Sequence, residues 1–116
     1  MNRLSSLLMV MMITAASAHA QTGLGLALPG GNAKAARPLV AEHCIKCHAV
    51  PGFPKDRIQP AVKAPAFETI ANNPQAYPEK ALRAFLRKPH YPMQGFVLSK
   101  RDIDNIIAFL HTLRRK

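Results

Sequence analysis

Residues 44–48 read Cys44-Ile45-Lys46-Cys47-His48, and the rest of the chain is best read outward from them. C-x-x-C-H is the attachment motif for c-type haem. Two thiols three residues apart on a bent helical turn reach the two vinyl groups of one porphyrin. The next residue, His48, then lies over the ring and can place its imidazole on the iron. Three other uses of the cysteines compete. A redox dithiol also takes C-x-x-C, but it follows a strand in a βαβ context that this chain lacks. A zinc site wants four ligands, and Cys44, Cys47 and His48 leave one to be found among scattered histidines. A disulfide between residues three apart closes almost no loop and stabilises little.

The N-terminus sharpens the choice. Met1-Asn2-Arg3 is a short positive start, residues 7–13 (LLMVMMI) are an apolar run, and Ala18-His19-Ala20 is a small-x-small cleavage pattern. Together they predict a secretory signal over 1–20, cleaved before Gln21. The run is far shorter than the ~20 residues that span a bilayer, so stable membrane insertion is not expected. Haem is attached after export in bacteria, so this signal strengthens the haem reading and points to the periplasm.

The 116 residues carry sixteen Lys and Arg against six Asp and Glu, a net charge of +10, and are 48% hydrophobic. Cleavage would leave 96 residues at +9. That length allows one small domain, and the apolar fraction excludes a disordered basic tail. A domain of this size buries a modest core, so a bound prosthetic group would help hold it.

Residues 21–32 (QTGLGLALPGGN) read as a flexible Gly-rich lead-in, and 33–116 as the folded domain. The alternation of Leu24, Leu26 and Leu28 has no partner strand. A first helix is expected over 37–47 with Pro38 near its first turn, then a proline-rich loop over 49–65. A short helix over 65–71 places Phe67, Ile70 and Ala71 on one face and stops at Asn72-Asn73-Pro74. Pro78 opens a helix with Leu82, Phe85 and Leu86 on one side, which Pro89 ends. A loop over 90–98 precedes the clearest helix. Ser99 and Asp102 form a capping-box pair. Ile103, Ile106, Ile107, Leu110 and Leu113 form its apolar stripe, and Arg114, Arg115 and Lys116 complement its dipole. The expected fold class is all-α.

A haem bound by His48 needs a sixth ligand or an open site. Met93, the one methionine of the mature chain, follows Pro92 in the loop between two helices. A thioether is a soft ligand that favours ferrous iron and raises the potential. His90, three residues earlier, is the alternative. His43 is too close to Cys44 to cross the ring. His43 and His111 read as solvent-side residues.

These features, with Ala64-Pro-Ala-Phe67, Pro92-Met93 and the helix after Ser99, resemble the small monohaem class I cytochromes c, of the short proteobacterial periplasmic type. The resemblance covers essentially the whole mature chain. It implies an orthogonal helix bundle around one covalently bound haem c, with the first and last helices crossing. Phe109 falls at the aromatic position of that crossing, and Ala36 stands where the family commonly has glycine. The resemblance also implies a prolyl carbonyl, from Pro60 or Pro65, accepting from the Nδ1–H of His48 and so fixing the ring.

The function expected is a periplasmic single-electron carrier. Cys44 and Cys47 hold the haem, and His48 and Met93 ligate the iron. With both axial sites filled, the protein is no enzyme by itself. The positive charge invites a nucleic-acid reading, but export and the lack of aromatic stacking motifs count against it. Docking to acidic redox partners fits better. The donor would be a dehydrogenase or quinol oxidoreductase, the acceptor an oxidase or reductase. Lys46, Lys55, Arg57, Lys63 and Lys88 are the candidate docking set. Two alternatives keep the same motif: a dedicated cytochrome subunit of a periplasmic dehydrogenase complex, and a haem-based ligand sensor or peroxidase-like enzyme with a labile sixth site.

Overall fold

The computed structural model describes residues 30–88, 91 and 97–116. The expected signal over 1–20, the expected lead-in up to Pro29, His90 and Met93 lie outside the described residues. Among the described residues every regular element is helical. In chain order they are α1 (Ala33–Leu39), a π-helical turn (Val40–Cys44), α2 (Phe67–Asn72), α3 (Glu79–Leu86) and α4 (Lys100–Thr112). None is long and apolar enough to cross a membrane.

The first helix begins four residues earlier than the sequence pattern predicts, because Asn32 caps it. Its side chain accepts from the amides of Lys34 and Ala35, satisfying donors that a helix start leaves orphaned. Pro38 therefore sits inside α1 rather than at its first turn. It has no N–H to return to the preceding turn, and the helix widens directly beyond it. The Ile45 amide reaches back to the Val40 carbonyl at 3.2 Å, five residues away. Such π turns concentrate at functional sites, and this one delivers Cys44.

α1 and α4 form the most extensive helix pair. Ala36 is the one buried residue of α1. The closest approach is made by Gly31, just before the cap. At φ +80°, a Cβ there would lie 2.1 Å from the Asp104 carbonyl oxygen. The next residue, Asn32, donates its amide to the Asn105 side chain at 2.8 Å. Asn105 is the buried polar residue of α4, and this bond satisfies it. The last residues of the Gly-rich stretch thus pack on the final helix.

α4 keeps the predicted cap: Ser99 and Asp102 bond reciprocally in a capping box. It buries Ile103, Ile106, Ile107, Phe109 and Leu110. At its other end Asn72 donates to the Leu113 carbonyl and accepts from the Arg115 amide. A residue read from sequence as a helix stop therefore also clasps the C-terminus of α4.

α3 differs from the rest. It has no buried residue. Leu82 and Leu86 pack on the edge of the core, while Phe85 of the same apolar stripe is 52% exposed.

Candidate functional site

The π turn ends at the C-x-x-C-H motif. The Cys44 carbonyl accepts from the amides of both Cys47 (3.1 Å) and His48 (2.9 Å), which closes the bent turn that the spacing predicts. Cys44 is buried, and Cys47 and His48 are half-buried. Burial, helped by the neighbouring Cys47, pushes the Cys44 thiol up to about 11. A dithiol redox centre works through thiolate stabilisation; at Cys44 the environment acts the other way.

His48 is held on two sides. Its Nδ1 lies 2.7 Å from the Pro65 carbonyl oxygen, so of the two prolines the sequence left open, Pro65 is the partner. A carbonyl can only accept, so Nδ1 carries the proton and Nε2 presents its lone pair. Burial lowers the pKa of the ring, against the opposing effect of that hydrogen bond, favouring the neutral imidazole that binds metal. The edge of Phe67 packs on His48 at 5.2 Å between centroids, and Phe67 meets Phe109 at 6.3 Å, both pairs near a T shape. Such pairs add specificity to their area burial. They link the motif through α2 to the α1–α4 core. Phe67 reads from sequence as a core residue of a short helix; its contact with His48 comes from the Phe67 amide bonding the Ala49 carbonyl, a pairing that periodicity does not reveal.

Cys47 and His48 open onto a cleft of about 650 Å³. Ala61, Val62, Ala64 and Pro65 form one wall; Ala81, Leu82 and Phe85 of α3 form another, with Tyr77 and Tyr91 at hand. The size and apolar lining suit a cofactor. The chemistry of the donors suits haem: two thiols, an oriented neutral imidazole and few other polar groups. The exposed Phe85 has a reason here, as part of a wall that an apolar cofactor face would cover. The sequence puts Phe85 on one side of its helix with Leu82 and Leu86; in the structure those two pack on the core and Phe85 lines the cleft.

Among the described residues no three His, Cys, Asp or Glu side chains converge. His43 is not the solvent-side residue expected. Its side chain is 26% exposed and lies 3.7 Å from Glu42. His111 is exposed as expected, yet bonds Glu79 of α3 at 3.1 Å. Lys46, Lys55, Arg57, Lys63 and Lys88 are all exposed, and Lys63 stands in the cleft lining.

Searches of curated proteins and of solved structures gave no match to the chain. Residues 33–114 match the family model described as Cytochrome c, so the chain belongs to the Cytochrome c family, whose domains bind haem c covalently and serve electron transfer.

Proposed function

We propose that the chain is an exported, periplasmic single-electron carrier and not an enzyme in its own right. Cys44 and Cys47 would hold haem c through thioethers, and His48 and Met93 would ligate its iron. The observation that carries this reading is the Pro65–His48 bond above an apolar cleft, which leaves Nε2 free to bind iron. Haem c supplies the one-electron couple. The protein's own residues do the rest. Cys44 and Cys47 anchor, Pro65 and Phe67 orient His48, and the apolar walls keep water away from the cofactor, which tunes its potential.

The residues 1–20 support export, with a mature chain from Gln21, the lead-in over 21–32 and the redox domain over 33–116. The net charge and the exposed Lys46, Lys55, Arg57, Lys63 and Lys88 support acidic redox partners, met in brief encounters that salt weakens. Met93→Ala tests the ligand assignment. The potential should fall, and either the iron opens or His90 takes the site. An unchanged potential and spectrum would remove Met93 from the iron.

A further inference from the structure

α3 forms one wall of the cleft, buries none of its residues fully and meets the core only through the half-buried Leu82 and Leu86. Its other face is tied to α4. Arg83 donates through Nε to Glu79 at 2.8 Å and through an Nη to Asp104 of α4 at 2.6 Å. Lys100 adds a second cation to Asp104 at 2.9 Å, and His111 bonds the other oxygen of Glu79. The Arg83 and Asp104 side chains are only 26% and 21% exposed.

We propose that Arg83, bridging Glu79 and Asp104, is a positioning residue that fixes the Ala81–Leu82–Phe85 wall of the haem cleft against α4. The proposal rests on the haem reading above. Isolated exposed ion pairs contribute little, but here the half-buried Arg83 and Asp104 join two helices through the fork of a guanidinium, with the more exposed Glu79, Lys100 and His111 around them. Residues 79 and 83 share one side of α3 and residues 81 and 85 another, one helical turn apart in each case. A roll of α3 off α4 therefore moves the cleft wall directly. It would admit water beside the cofactor, favour the more highly charged ferric form and lower the potential.

The test compares wild-type holoprotein with Arg83→Met, Asp104→Asn and Arg83→Lys by redox titration and by amide hydrogen exchange. Arg83→Met should lower the midpoint potential and speed exchange over residues 79–86 by about tenfold, with residues 103–110 of α4 unchanged. Arg83→Lys keeps the charge without the fork and should recover part of both shifts. Asp104→Asn cuts the same bridge from the other helix and serves if Arg83→Met does not fold. High salt should move wild type towards the variants. A lower melting temperature with unmoved potential and unmoved exchange over 79–86 would overturn the proposal and leave Arg83 a structural brace. A wild-type protein without covalent haem absorbance would instead overturn the reading on which the proposal rests.

Discussion

α4 and α3 are both amphipathic helices, but they are held in different ways. α4 is capped at both ends, touches Gly31 backbone to backbone, and buries five large apolar side chains. α3 buries none. It rests on Leu82 and Leu86, is tied by Glu79, Arg83 and Asp104, and turns Phe85 towards the cleft. The difference separates two jobs. α4 and its partners form a frame that holds His48 through Phe67 and Phe109. α3 is a wall whose apolar surface suits the cofactor.

The largest effect should come from truncating matching aromatics on the two helices. Phe109→Ala is expected to cost about 3–5 kcal/mol in chemical denaturation, much of the stability of a small domain. Phe85→Ala should cost about 1 kcal/mol or less and act instead on the haem potential. Equal losses of stability would erase the distinction between frame and wall.

Next comes Gly31→Ala, which places a Cβ against the Asp104 carbonyl at a left-handed φ. The expected cost is about 2–4 kcal/mol, read as a lower melting temperature. A neutral result would show that the segment before Asn32 does not dock on α4.

The smallest effect concerns the tie on α3. Hydrogen bonds from Arg83 to Glu79, and from Lys100 and Arg83 to Asp104, hold both carboxyls below their ordinary values of 4.5 and 3.8. A lowered folded-state pKa contributes stability that is present above the ordinary value and lost as pH falls through the folded one. Wild type should thus lose more stability than Arg83→Met as pH falls below the ordinary carboxyl values of 4.5 and 3.8, and the gap between their melting curves should narrow through the lower folded values. A gap that stays constant until both carboxyls are protonated would mean that the network does not contribute through its charges.

Much of the frame was legible in the sequence. C-x-x-C-H, the Ser99–Asp102 cap and the isoleucine stripe of α4 depend on short-range chemistry, and each stands where the pattern put it. The start of α1 was misplaced because Pro38 looked like a first-turn residue, while the actual cap, Asn32, lay in a stretch that its glycines marked as a linker. Long-range pairings were hidden for a different reason. Pro65 against His48, Asn72 against Leu113 and Arg83 against Asp104 join elements 17 to 41 residues apart, and no local period encodes them. The role of Phe85 was hidden because an apolar stripe reads the same whether it meets protein or cofactor.

The proposed function stands on Cys44, Cys47, His48 and Met93 carrying one covalent, six-coordinate haem. The most direct measurement is an optical spectrum of protein exported alongside haem-maturation machinery, oxidised and reduced. A c-type pyridine haemochrome is expected and, in the oxidised protein, the weak far-red sulfur-to-iron band. A protein without haem, in which Cys44 and Cys47 titrate as free thiols, would contradict the proposed function.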